Sequence, residues 1–177
     1  MKDWSYYIYN KLGEYGPIIL ILQAILLLKE KHQYFFYFIY GYLLNALLNL
    51  FLKGVIQQPR PLDDNKLFRI ALKNGKRFIF KKGLPHDIFG MPSGHAQSSL
   101  YTTTFIYLVF KNYTILAPFI IISFITLCQR VTSKMHTLTQ IIAGSIVGIL
   151  FSYFVYYMAN KKTKGILKEK PDDHAVL

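Results

Sequence analysis

Five long apolar stretches, each stopped by a lysine or arginine, limit how this chain can fold. Tyr34 to Leu52 is uncharged and meets Lys53; Ala96 to Phe110 meets Lys111; Asn112 to Gln129 meets Arg130. Thr137 to Asn160 is the longest uncharged stretch and runs into Lys161. A helix needs about 20 residues to cross the ~30 Å hydrocarbon core, and these four are near that length. The remaining stretch, Leu12 to Leu28, has a strictly apolar part only from Pro17 onward. It either recruits the Tyr-rich Trp4 to Tyr15 segment, with Lys11 and Glu14 snorkelling to the surface, or forms a re-entrant helix. The expected fold is all-α: an integral membrane helical bundle with about five transmembrane helices. Tyr and Phe near the ends of the stretches fit an interfacial aromatic belt.

Composition removes the alternatives. With 53% hydrophobic and 17% charged residues, the segments lack the polar faces that a soluble bundle's surface helices need. A single cysteine, Cys128, excludes an internal disulfide framework and a cysteine-based zinc site. The net charge of +12 suits anionic partners. Nucleic acid is not expected among them, because no recognition module accompanies the charge. The amino terminus lacks a basic region followed by a small-residue cleavage site, so no removable signal peptide is expected. Residues 1–160 read as one membrane-embedded domain with its motif-bearing core at 41–148, and residues 161–177 as a charged, disordered tail.

The polar segments carry the chemistry. Lys53 to Asp87 holds nine of the 21 basic residues. Within it, Phe68 to Lys73 predicts a short amphipathic helix, Asn74-Gly75 a turn, and Arg77 to Lys81 a strand or surface-lying segment. Most of its lysines read as facing water or headgroups. Counting crossings brings three clusters to one membrane face: Lys53 to Pro61 (KGVIQQPRP), Gly90 to Gln97 (GMPSGHAQ) and Gln129 to Gln140 (QRVTSKMHTLTQ). Together they supply a site for a phosphate. Lys53, Arg60 and Arg130 offer charge, and guanidinium forks grip phosphoryl oxygens bidentately. Ser93 adds a hydroxyl, Gly94 admits close backbone approach at a helix start, and Pro92 suits that helix entry. Two histidines fill the two jobs phosphoryl transfer leaves open, attack on phosphorus and protonation of the departing oxygen. With three cations to neutralise the oxygens, no metal or other cofactor is expected.

These residues give the chain a resemblance to the phosphatidic acid phosphatase type 2 and haloperoxidase superfamily. It rests on K-x6-R-P at Lys53 to Pro61, P-S-G-H at Pro92 to His95 and R-x5-H at Arg130 to His136, in order and each at a membrane boundary. The resemblance implies a helical membrane phosphatase working through a phosphohistidine. His136 would be the nucleophile and His95 the acid, with Lys53, Arg60, Ser93, Gly94 and Arg130 binding phosphate. Two positions depart from the pattern: Gln129 replaces the usual Ser before the arginine, and Gln140 replaces an Asp four residues after the nucleophile. Positions i and i+4 share a helix face, so Gln140 can reach back and accept the Nδ1–H bond of His136, though without a negative charge. Asp87 is a candidate substitute for the missing carboxylate. Asn45 and Asn49 read as interhelical hydrogen-bonding residues, and His32, His86 and His174 carry no assigned role.

His136-Thr-Leu-Thr-Gln140, with Gly90-Met-Pro and Gln97, is similar to the dolichyl-diphosphate phosphatase branch, where Gln also stands at the Asp position. That implies a polyprenyl diphosphate as the lipid partner, in a bilayer that would be the endoplasmic reticulum membrane. Two alternatives stand beside it: a phosphatidate-type lipid phosphate phosphatase, and a catalytically impaired scaffold that keeps the fold.

Overall fold

The computed structural model describes residues 4–61, 65–81 and 84–166. It contains α1 (Trp4–Leu28), α2 (His32–Ile56), α3 (Asn65–Lys73), β1 (Phe78–Lys81), β2 (Leu84–Asp87), α4 (Gly94–Phe110), α5 (Tyr113–Thr132) and α6 (Leu138–Ile166). Of the tail expected over 161–177, residues 161–166 continue α6; the rest, His174 included, lies outside the described residues.

Among the described residues, α1, α2, α5 and α6 are long and apolar enough to cross a membrane. The protein is an integral membrane protein. The first apolar stretch does recruit the Tyr-rich segment, because α1 is one unbroken helix of 25 residues. Polar groups of the recruited part find partners on α5: Tyr9 Oη lies 3.0 Å from Thr132 Oγ1, and Gln129 Nε2 donates to Asn10 Oδ1 at 3.5 Å.

The fifth expected span, α4, differs from the other four. Its 17 residues reach about 26 Å at 1.5 Å per residue, short of the bilayer core. It packs against each of the other four long helices. Protein rather than lipid surrounds it, which is why it can be short and can carry Gln97, Ser99, Thr102 and Thr103 as buried residues. Its apolar positions Tyr101, Phe105 and Ile106 join Leu20, Phe38 and Phe119 in the core. The outward faces of α1, α2, α5 and α6 are apolar too, with Leu26, Leu47, Phe124 and Leu150 exposed, as a lipid solvent requires.

Gln97 anchors α4 to α2. Its Nε2 donates to Asn45 O and Oδ1, both at 2.8 Å, and its Oε1 accepts from Asn49 Nδ2 at 2.8 Å. Asn49 Nδ2 also donates to Pro92 O at 3.2 Å, so a polar ladder inside α2 holds the segment before α4. On the opposite side Gly144 and Gly148 let α6 lie against the α4 backbone. A Cβ at either glycine would overlap the carbonyl oxygen of Ser93 or Gln97.

Between α2 and α4 the chain forms a small lobe. The short helix and the strand at Arg77 to Lys81 are present as α3 and β1. Gly75, at φ +64°, supplies the left-handed residue of the turn joining them. The antiparallel partner β2, in register Phe78↔Asp87 and Ile79↔His86, adds a two-stranded sheet to an otherwise helical fold. Asn112 caps α5, its Oδ1 accepting from the Thr114 and Ile115 N–H groups.

Candidate active site

Backbone pairing brings the first two clusters together. Gln58 O accepts from Gly90 N–H at 2.6 Å, and Pro59 pairs antiparallel with Phe89. Arg60 then lies beside the end of β2, where its Nε donates to Asp87 O at 3.0 Å. Lys53, on the last turn of α2 and 4% exposed, donates to Phe89 O at 2.8 Å. The third cluster closes by its own turn: Met135 and His136 N–H both donate to Arg130 O at 3.1 Å. That turn carries His136 under Arg60, with Arg60 Nη1 at 3.4 Å from His136 Nε2.

Gln140 joins all three clusters. Its Nε2 donates to Pro59 O at 2.9 Å and to Gln58 Oε1 at 3.0 Å. Its Oε1 accepts from Thr137 N–H and stands 3.2 Å from His136 Nδ1. Its backbone carbonyl accepts from Ser93 N–H at 3.0 Å. A guanidinium has only donors, so His136 Nε2 is the accepting nitrogen and the ring proton sits on Nδ1, donated to Gln140. An aspartate at this position would have no donor for Pro59 O or Gln58 Oε1; the amide serves both sides.

Burial, and then the charges of Arg60 and Lys53, hold the His136 imidazole far below its ordinary pKa of 6.5, with the Gln140 bond acting weakly in the opposite direction. His136, 3% exposed, is therefore neutral at physiological pH.

His95 stands in different surroundings. It is half-buried on the first turn of α4, and its Nε2 lies 3.0 Å from the carbonyl oxygen of Glu14 on α1. A cavity of about 380 Å³ opens beside it, lined by Pro17 and Ile18 of α1, Ala46 and Leu50 of α2, and Gly94.

Positive charge exceeds negative here. Arg130 is 7% exposed, and its Nε is held by the neutral Gln129 Oε1 at 2.9 Å. Gln129 in turn donates to Ser133 Oγ at 2.8 Å, so the residue standing where the family has Ser orients the guanidinium. Cations taken this far from water are stabilised by an anion that enters to meet them. Ser93 caps α4 without a side-chain cap bond, and its fully buried Oγ has no hydrogen-bond partner among the described residues. Pro92 precedes this cap instead of occupying the first helical position. These residues form a cradle in which buried cations and an unpartnered hydroxyl are gathered.

Asp87 does not replace the missing carboxylate. Its oxygens accept from Arg77 at 3.0 and 3.3 Å and from Phe89 N–H, and lie 3.8 Å from Lys53 Nζ. It organises cations rather than a histidine. Gln58, Glu14 O and Phe89 O were not singled out from sequence. Two of these contacts are backbone carbonyls, which no residue type announces.

The profile of the PAP2 superfamily matches residues 34–164. The chain belongs to the PAP2 superfamily. Among curated relatives in that setting, dolichyldiphosphatase of Saccharomyces cerevisiae is 29% identical over 140 residues, covering 73% of this chain and 52% of the yeast protein. Lipid A 4'-phosphatase of Helicobacter pylori is 32% identical over 87 residues, covering 49% of this chain and 43% of that protein. The chain thus aligns with about half the length of these relatives. No solved structure matches it.

Proposed function

We propose that the chain is a metal-independent membrane lipid phosphatase that hydrolyses a polyprenyl, dolichyl-type diphosphate through a phosphohistidine. The observation that carries this reading is the placement of His136 between Gln140 Oε1 at its Nδ1 and the Arg60 guanidinium at its Nε2.

The terminal phosphate displaces the Arg60 contact and takes Lys53, Arg60, Arg130 and the free Ser93 hydroxyl as partners, with the Gly94 backbone closing the α4 end. His136 Nε2 attacks phosphorus; the N–P bond forms as the bond to the bridging oxygen breaks, and that oxygen takes the electron pair. His95 gives it a proton. A water then attacks the phosphohistidine with His95 as base, and the N–P electron pair returns to Nε2. Gln140 acts as a positioning residue that keeps the proton on Nδ1. It brings no negative charge, which suits a substrate whose leaving group is itself a phosphate. The lipid chain leaves through the cavity between α1 and α2 beside His95. The similarity to the yeast dolichyldiphosphatase supports the diphosphate. The similarity to the lipid A 4'-phosphatase supports a second reading, a lipid phosphomonoester as substrate.

Phosphate release by the purified chain in detergent with EDTA tests this, comparing polyprenyl diphosphate with phosphatidic acid and using His136→Ala as control. Faster turnover of the diphosphate, lost in the variant, is the expected result. Faster release from phosphatidic acid moves the protein to the second reading. No cleavage of either lipid by folded protein leaves the scaffold.

A further inference from the structure

Residues 65–81 of the lobe between α2 and α4 supply none of the cradle's own residues, yet their surface is unlike ordinary loop surface. Residues 65–81 contain six cations (Lys66, Arg69, Lys73, Lys76, Arg77, Lys81) and no acid. The lobe has a small interior in which Phe68, Ala71 and Ile79 pack on Ile88 and Phe89. Outside it lie Ile70, Leu72, Phe78 and Phe80, the last 78% exposed. Strand alternation puts Phe78 and Phe80 on the face opposite Ile79. Arg69, Lys73 and Lys76 are exposed among them.

The depth of the lobe is fixed by Arg77. Its Nη2 donates to Leu50 O at 2.8 Å, while the same guanidinium binds Asp87 and stacks over Phe78 and Phe89, each at 5.3 Å. Leu50 is six residues before the end of α2, about 9 Å back along a membrane-spanning helix. The lobe therefore folds back toward the bilayer instead of standing out in water. A cavity of about 400 Å³ lies between it and α2, lined by Gly54, Gln57, Leu72, Gly75, Lys76 and Arg77.

We propose that this lobe docks on the surface of the protein's own bilayer and binds anionic phospholipid headgroups. Phe78 and Phe80 enter the interfacial layer, and Arg69, Lys73 and Lys76 sit at the level of the lipid phosphates. The Lys76–Arg77 cavity has the charge and size to receive one headgroup. A second copy of the chain is a poor occupant, because two such faces would oppose cation to cation. The docking has a route to the cradle: Arg77 holds Asp87, whose backbone oxygen holds Arg60 and whose carboxylate stands beside Lys53. The inference does not rest on the proposed reaction.

The test uses the full chain in nanodiscs with Phe80→Trp on a Trp4→Phe background, Trp4 being the single tryptophan. Discs of phosphatidylcholine alone are compared with discs holding about a third phosphatidylserine. The expected result is blue-shifted emission, quenched about twofold by lipids spin-labelled near the headgroup, more strongly with phosphatidylserine. High salt or the pair Lys73→Glu and Lys76→Glu weakens that gain. Emission typical of water, quenched by iodide but not by lipid, overturns the docking. Quenching that ignores phosphatidylserine overturns the anionic headgroup, and a blue shift that grows with protein concentration in detergent gives the face to a second copy. Hydrogen exchange of residues 68–80 in the unmodified chain is the companion measurement: slowing by phosphatidylserine supports the proposal, and no change overturns it.

Discussion

The two histidines of the site are held in opposite ways. His136 is enclosed, and its two ring nitrogens meet Arg60 and the Gln140 side chain. His95 is half-buried beside an apolar cavity, and its Nε2 meets a backbone oxygen supplied by α1. One side of the cradle is complete within the superfamily's own motifs. The other depends on a helix outside them and opens toward lipid. The contrast teaches that the two halves of the proposed reaction rest on different supports: the nucleophile assigned to His136 is held by motif residues, while the acid assigned to His95 stands where sequence motifs describe the site least.

The largest expected effect sharpens that division. His136→Ala lowers turnover about a thousandfold or more whatever the substrate, since the proposed mechanism gives the N–P bond to His136 alone. His95→Ala does the same for a lipid alkoxide but is largely rescued by an aryl phosphate whose leaving oxygen needs no proton. Steady-state rates on the two substrates check this, and equal losses in both variants would erase the distinction. Next in size, Arg60→Gln removes a charge-assisted partner of the phosphate and lowers kcat/KM at pH 7 about ten- to a hundredfold. It also removes a positive charge that depresses the His136 pKa. That pKa rises, protonated imidazole persists to higher pH, and the acid limb of the kcat/KM profile moves upward. A limb that stays in place separates Arg60 from His136 in function. The smallest effect belongs to the open side: Ala46→Phe narrows the cavity beside His95 from an exposed position. KM rises about severalfold for a polyprenyl substrate and stays level for a short-chain one.

Much of this division was legible before any coordinates. The apolar stretches and their charged stops locate the long helices, because hydropathy is a property of local sequence. The Gln140 contact with His136 was expected from helical spacing, but His136 precedes α6 and the contact arises at its cap, where Gln140 Oε1 also accepts from Thr137 N–H. The meeting of Lys53, Arg60 and Arg130 follows from counting crossings. The place of Asp87 was left open in the sequence for a physical reason. Loop distance depends on the pairing of Gln58 and Pro59 with Phe89 and Gly90, and that register leaves no residue signature. The Glu14 oxygen was invisible for the same reason, since any residue at that point of α1 offers it. The extent of α1 became clear only with its polar partners on α5.

The short, polar α4 also bears on how the protein is made. It leaves the ribosome before α5 and α6, two of the helices that surround it, have been synthesised. Gln97 can meet Asn45 and Asn49 of α2, which is already made. Thr103 finds its partners, Phe119 O and Ser123 Oγ, only on α5, and until then it faces hydrocarbon, an unfavourable state for a polar side chain. Its integration therefore waits on its successors, and the second motif reaches its final place only when α6 arrives with Gly144 and Gly148 against it. Birth order makes the catalytic pocket the last thing the membrane insertion machinery completes.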